Sequence, residues 1–457
     1  MISTFVADNL ALLMLLAFAV LLFSGYPVAL ILAGVGLAFA FVGYLVDLFP
    51  LVAFYNVPLR VYGSINNSFI YPAVPMLLFM GVALEKSGVA RDMLLCLRLL
   101  LGRTPGSLAI GVTLLGILLA PAAGLIGASV ATLALVALPT MLEHGYRPTV
   151  ATGSVAAAGT LGIVLPPGLM LFFLAEQMRV SVGQMFLSTI VPGLMLALLY
   201  IGYYLIRGRA DPGMSARRAD TTIAADGNLP FYLLRSLALP ALLIGLVLGS
   251  IIAGWATPPQ SAAVGAVGSV VLMALNRRFE LRLLHEVVVS TTVMTSMVFF
   301  VVIAATIFSY PFRFFGGDDL IGDFLQALGF GDWGVLVVIL LTIFLLGFFI
   351  DWIEITIITL PIFYPVLAGL DFSAHVGGAG PAFVWMAVLI ALVLQTSFLT
   401  PPFGFALFFL KGAAPPSVRL TEIYLGVVPI VLLQLSGIAL VMALPLLATA
   451  LPQALLP

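Results

Sequence analysis

The sequence predicts an all-α, polytopic membrane protein laid out as an inverted repeat. Three observations carry that expectation. Only 8% of its 457 residues are charged and 63% are hydrophobic, whereas a soluble domain has roughly 25% charged residues. Such a chain lacks the polar atoms to cover a water-facing surface. Its apolar stretches run for about 20 residues, the length of a spanning helix rather than of a barrel strand of roughly 9–11. Two helix-breaking stretches, "GTLGIVLPPG" at 159–168 and "TSFLTPPFG" at 396–404, recur in the two halves of the chain.

Membrane segments are expected near 9–24, 27–46, 66–84, 107–140, 149–177, 187–206, 231–253, 259–275, 286–309, 334–370, 382–410 and 422–450. The first carries no Lys or Arg before its apolar run, so no cleaved signal peptide is expected. In "INNSFIYPAVP", Asn66, Asn67 and Ser68 read as helix caps. Arg60 and Tyr62 mark an interface near the outer side. Residues 84–100 read as an amphipathic interfacial helix with Arg91 and Arg98 toward lipid headgroups. The polar stretch 207–230 is the one long linker, and it divides the chain nearly in half.

Basic residues orient these segments. Clusters at Lys86–Arg103, Arg207–Arg235 and Arg277–Arg282 are all cytoplasmic if 107–140 leaves and returns on that side. The acidic stretch around Asp318, Asp319, Asp323 and Asp332 then lies outside, and 334–370 leaves and returns on the outer face. Of the 18 basic residues, all but Arg60, Arg179 and Arg313 fall inside. Two returning segments thus lie on opposite faces, each followed by a proline-broken crossing, a plan that recurs in secondary transporters. About 34 residues in 107–140 fall short of two spans of roughly 20 plus a turn.

Each motif has a plain structural reading and a functional one. "GLIGASVAT" offers small residues for close helix packing; facing a broken helix, the same tip exposes carbonyls and half-helix N-termini that bind cations and anions. "DWIEITIITLP" places Asp351 and Glu354 in an apolar segment, with no Lys or Arg between Arg313 and Lys411. A buried carboxylate costs several kcal/mol unless paired. A bound cation would pair one, or a carboxylate would reach outer water at the turn. Pro258–Pro259 and Pro415–Pro416 fall in expected loops, whereas Pro166–Pro167 and Pro401–Pro402 interrupt crossings. Freed backbone groups in lipid need protein, water or ion partners.

Several functions are excluded. A net charge of −1 offers nothing to nucleic acid. Cys96 is the only cysteine, so no intrachain disulfide forms. No GxxxxGK[ST] pattern provides for nucleotide hydrolysis. His144, His285 and His375 fall near expected loops and receive no catalytic role. An intramembrane hydrolase with Ser129 as nucleophile would lack an intramembrane His or Lys as base.

The chain resembles the large membrane (M) subunit of TRAP transporters, the tripartite ATP-independent periplasmic systems. The resemblance rests on "VPMLLFMGVALEKSGVA", "GASVATLALVALPTMLEHGYRP", "GTLGIVLPPG", "ATPPQSAAVGAVGS", "FFIDWIEITIITLPIFYPV" and "LTPPFGFALFFLKG", in this order over nearly the whole length. It implies an elevator-type fold of the ion-transporter superfamily with two re-entrant helical hairpins and two unwound helices. By this likeness, 1–104 holds N-terminal scaffold helices and an interfacial arm, and 105–206 the first transport half. Residues 207–333 form the linker and second scaffold helices, 334–420 the second transport half, and 421–457 the C-terminal helix.

The likeness further implies a multi-pass protein of the bacterial inner membrane that imports an organic acid, a 2-oxo acid or other carboxylate, with Na+ as coupling ion, two or more per cycle. A periplasmic substrate-binding protein and a separate four-helix Q subunit would be its partners. A one-component Na+/dicarboxylate carrier is the alternative within the superfamily. Carried over residue by residue, Gly127, Ser129, Gly159, Gly162, Asp351, Thr396 and Gly404 fall to Na+, and Ser129, Thr132, Thr160, Pro166, Pro167, Thr400, Pro401 and Pro402 to substrate. Ala128 stands where many relatives have a serine, so the side chain offers no hydroxyl there.

Overall fold

The structure is a computed structural model that describes residues 9–102, 104–119, 126–211 and 234–456. Every described element is helical. The N-terminal part comprises α1 (Leu10–Leu22), α2 (Val28–Leu45), α3 (Leu51–Asn66), α4 (Ala73–Lys86) and α5 (Val89–Leu101). Next come α6 (Ser107–Leu118), α7 (Ile126–Glu143), α8 (Pro148–Val164), α9 (Leu169–Gln177) and α10 (Val182–Ala210). The second half holds α11 (Leu239–Ile252), α12 (Pro258–Leu275), α13 (Leu281–Phe314), α14 (Gly317–Ala327), α15 (Gly331–Leu346) and α16 (Trp352–Gly369). It ends with α17 (Ser373–Val376), α18 (Ala379–Ser397), α19 (Phe405–Ala413), α20 (Leu420–Ala443) and α21 (Leu446–Leu455).

Among the described residues nine helices are long and apolar enough to cross a membrane, or up to 11 if each bent pair is one span. The 12 residues of α6 reach only about 18 Å at 1.5 Å per residue, short of a hydrocarbon core of about 30 Å.

Packing sorts the helices into two groups. In one, α13 lies along α2, α3 and α4, while α12 packs on α4 and α11. In the other, α8 is surrounded by α6, α7, α10, α18 and α20. From Val150 to Val164 every residue of α8 is buried, and so is every residue of α18 from Val384 to Ser397. By contrast α2, α11, α12 and α13 present large apolar side chains outward, among them Leu37, Phe41, Leu246, Val267 and Phe300. Lipid is as apolar as a protein core, so tight association needs small residues rather than greasy ones. The sequence of α8, "PTVATGSVAAAGTLGIV", supplies them. A Cβ on Gly153 would fall on the backbone of Gly426 in α20, and one on Gly426 on the backbone of Thr149.

Prolines also shape the local geometry. A helix N–H bonds the carbonyl four residues back, and proline has none. Pro240 therefore cannot serve Ser236, nor Pro361 serve Ile357, and a wider i→i+5 turn precedes each, at Leu234–Ala238 and Ile355–Thr359.

Several expectations need correction. Residues 51–66 form the helix α3, which its Pro58 and Arg60 had hidden from a hydropathy reading. Asn66 and Asn67 end α3 instead of capping α4; only Ser68 acts locally, its Oγ accepting the Ile70 N–H at 3.2 Å. The arm helix forms as α5, bent 61° from α4, but Arg98 turns inward to His144 at 2.7 Å rather than to headgroups. The acidic outer stretch contains a helix, α14. The last expected segment breaks at Pro445 into α20 and α21. The helix α10 runs on to Ala210, into the expected linker; residues 212–233 lie outside the described residues.

The glycine contact between α8 and α20 is testable. Gly426→Val should cost about 1–3 kcal/mol through overpacking, read as an earlier thermal unfolding midpoint in detergent. Gly202→Val should leave the midpoint nearly unchanged, because a Cβ there meets nothing within 4 Å.

Candidate functional site

Two breaks of the same construction interrupt the central helices. The first separates α8 from α9 at Leu165–Gly168, and the second separates α18 from α19 at Phe398–Gly404. Pro166 and Pro167 cannot donate to the carbonyls of Gly162 and Ile163; Pro401 and Pro402 cannot donate to those of Ser397 and Phe398. Each break closes on a glycine that caps the next helix: Gly168 N–H donates to Leu165 O and Gly404 N–H to Thr400 O, both at 3.0 Å. A Cβ on Gly168 would stand 3.0 Å from the carbonyl oxygens of Gly162, Ile163 and Leu165. One on Gly404 would stand 2.7 Å from Phe398 O and 3.0 Å from Thr400 O. Carbonyl oxygens therefore converge at both breaks, where only a glycine leaves room for them.

The surroundings of the two breaks differ. Pro166 and Pro167 are buried. Pro402 and Phe403 are exposed, and the Pro402 carbonyl accepts the Tyr424 hydroxyl at 2.7 Å.

The hydroxyls assigned from sequence are largely engaged with their own helices. Thr160 donates to Ala156 O at 3.1 Å, Thr396 to Leu392 O at 2.8 Å, and Thr400 to Thr396 O at 2.8 Å. Their lone pairs remain as acceptors, since a hydroxyl carries two. Ser129 is buried on α7, and Thr132, one turn on, donates to the partly buried Glu85 carboxylate of α4. Glu85 was missed from sequence because it reads as the polar end of a crossing.

Gly127 lies against the ring of Phe409 in α19, and Gly159 against Val130 in α7. The first tip is thus wedged between the broken helices of both halves. Residues 120–125, which include the first residues of "GLIGASVAT", lie outside the described residues.

Asp351 precedes α16 and accepts the Trp352 N–H at 2.8 Å. Both Asp351 and Glu354 are buried, 6% exposed each, and Glu354 Oε2 has no hydrogen-bond partner. The second tip meets the second break directly. A Cβ on Gly347 would stand 2.7 Å from Ser397 Cβ, a contact that hydropathy could not reveal. Among the described residues no three His, Cys, Asp or Glu side chains cluster as metal ligands. A donor set of carbonyls, hydroxyls and one carboxylate suits a hard, oxygen-seeking cation.

Against this geometry stand the comparisons with known proteins. The sequence model of the family described as "Tripartite ATP-independent periplasmic transporter, DctM component" matches residues 15–447. The chain is 28% identical over 383 residues to the C4-dicarboxylate TRAP transporter large permease protein DctM of Pseudomonas aeruginosa, covering 83% of this chain and 85% of that one. It is 26% identical to the isethionate TRAP transporter permease protein DctMQ of Oleidesulfovibrio alaskensis, covering 94% of this chain and 64% of the relative. Among solved structures, the Alcanivorax borkumensis YdaH transporter shares the fold with a TM-score of 0.57 at 14% identity, over 87% of this chain and 89% of that one.

The contact between tip and break can be tested by a rescue. Gly347→Ala should destabilise by about 1–3 kcal/mol, and Ser397→Gly in the same chain should recover most of it. Strictly additive losses in melting temperature would show that the two positions do not touch.

Proposed function

This chain belongs to the tripartite ATP-independent periplasmic transporters as a DctM component, and we propose that it imports an organic acid anion coupled to Na+. As a TRAP large permease it is a multi-pass membrane protein and not an enzyme. The observation that supports Na+ coupling is the pair of carbonyl clusters around Gly168 and Gly404, with Asp351 at the tip beside the second.

In this reading the segments α6–α7 and α15–α16 are re-entrant hairpins from opposite faces. Na+ ions lie between each tip and its break, held by Gly127, Ser129, Gly159 and Gly162 in one half and by Asp351, Thr396 and Gly404 in the other. Thr132, Thr160, Thr400 and the two proline pairs border the substrate. The occupied central helices then move against the outer group as an elevator in the bacterial inner membrane. The membrane potential supplies about 2.3 kcal/mol per net inward charge per 100 mV.

A periplasmic binding protein delivers the anion. A small Q subunit, a separate chain in this reading, covers part of the outward apolar faces. C4-dicarboxylate and isethionate, in the names of the two relatives, are both organic anions; a 2-oxo acid or other carboxylate is the class proposed for this chain.

The test is uptake in proteoliposomes holding this chain with its small membrane subunit and binding protein. Asp351→Ala should lower Na+-driven uptake at least tenfold. Uptake at the same rate with K+ as sole cation would overturn Na+ coupling, and undiminished Na+-driven uptake by the variant would remove Asp351 from the site. Uptake by this chain alone would favour a one-component carrier.

A further inference from the structure

The three arginines that break the charge rule are each held by a specific neighbour. Arg179 lies over the Tyr364 ring at 4.7 Å. Arg60 lies over the Tyr310 ring at 5.2 Å, and Tyr310 is itself steadied by Asn56, whose Nδ2 donates to its hydroxyl at 3.3 Å. Arg313 donates to the carbonyl of Pro361 at 2.7 Å and pairs with Asp318 at 3.3 Å. The Pro361 carbonyl is free to accept because the residue four places on, Pro365, has no N–H to offer it. The proline pair of α16 thus fixes where the Arg313 guanidinium sits.

Arg60 and Arg313 line one cavity of about 630 Å³ between α3, α13 and α16, with Asn67, Tyr71, Gln177 and Ser309 on its walls. Among the described residues Arg60 has no acidic side chain within ion-pair distance, while Arg313 is paired with Asp318 and the Glu176 carboxylate lies within electrostatic range of Tyr71 on the wall. The Arg60 guanidinium is thus the cation on the wall without a carboxylate of its own, and amide and hydroxyl groups surround it. The volume falls within the roughly 300–1,000 Å³ of small-molecule sites, and a guanidinium's planar fork matches a carboxylate.

The cavity is also separate from the carboxylate site. Ile357 and Pro361 line it, six and ten residues beyond Asp351, or roughly 9 and 15 Å along a helix. Tyr71 lines it as well; its ring packs on Phe173 at 5.7 Å, and Phe173 packs on Trp352, the neighbour of Asp351, at 5.6 Å.

We propose that this outer cavity is a waiting site for a carboxylate anion, held by Arg60 and Arg313 before the aromatic barrier of Tyr71, Phe173 and Trp352 opens. The inference rests on the reading that the chain carries organic anions, and it adds a second, more superficial place for them. The site reads the charged end of the anion, so small carboxylates of different bodies all bind there.

The experiment uses the full chain in nanodiscs with an environment-sensitive fluorophore at Ser309→Cys; Cys96 is buried, and the unsubstituted chain carried through labelling gives the background. Titration with potassium pyruvate and with potassium succinate, at ionic strength matched with chloride, should give saturable fluorescence changes. Arg60→Gln and Arg313→Gln should each raise the dissociation constant about tenfold or more, and Arg60→Lys should keep most of the affinity. Asp351→Asn, and Na+ in place of K+, should change neither. No saturable response, an equal response to chloride, or unaltered affinity in both Arg→Gln variants would overturn the proposal. So would loss of binding in Asp351→Asn, which would place the anion at the deeper site. Because these titrations run in K+, a failure of Na+ coupling in the uptake assay would leave them standing.

Discussion

Proline inside a water-poor helical core leaves a carbonyl that must find another partner, and much of this structure follows from how those partners are found. An unmade hydrogen bond in such a place costs several kcal/mol. At Pro240 and Pro361 the helix widens by one residue. At Pro365 a guanidinium from α13 takes the vacated carbonyl of Pro361, and at the second break the Ala406 N–H takes the Phe398 carbonyl that Pro402 cannot serve. At the two Pro-Pro pairs several carbonyl oxygens also lie close around a glycine. The same deficit becomes a bend, an anchor for a charge or a cradle of oxygens, according to what lies within reach.

The two halves use one design in different surroundings. Break one is enclosed by α6, α7, α10 and α18. Break two is open at Pro402 and Phe403, with the Phe403 ring 5.3 Å from that of Phe349 beside the second tip. The carboxylates Asp351 and Glu354 belong to the second half alone, while the first tip is tied to α4 through Thr132 and Glu85. Two breaks of like construction therefore differ in the charge beside them and in their exposure.

Charge placement shows the same economy. With so few ionisable groups, the basic residues that depart from the inner-face rule are those with a ring or a carbonyl to hold them: Arg60 on Tyr310, Arg179 on Tyr364, Arg313 on Pro361. On the other face, Arg278 joins the Ser87 carbonyl at 2.7 Å and Asp92 at 2.8 Å, tying the arm helix α5 to the α12–α13 turn. Arg98 instead spends its charge on His144. These contacts fix one helix against another.

The sequence by itself determined the membrane class, most crossings, the two Pro-Pro breaks, the carboxylate at Asp351 and the family likeness. These depend on local chemistry: apolar length, a missing N–H, a charge without a nearby partner. It did not reveal α3, whose exposed apolar face carries an arginine, nor α14 within its acidic stretch. Nor did it place Glu85 against Thr132, Gly347 against Ser397, or Arg60 and Arg313 in one cavity. Those pairings join positions 47, 50 and 253 residues apart, and hydropathy is blind to them because lipid and protein core are equally apolar. Only the packing of small residues in α8 and α18, and the few polar groups that must be satisfied across helices, decided which helices lie at the centre and which face lipid.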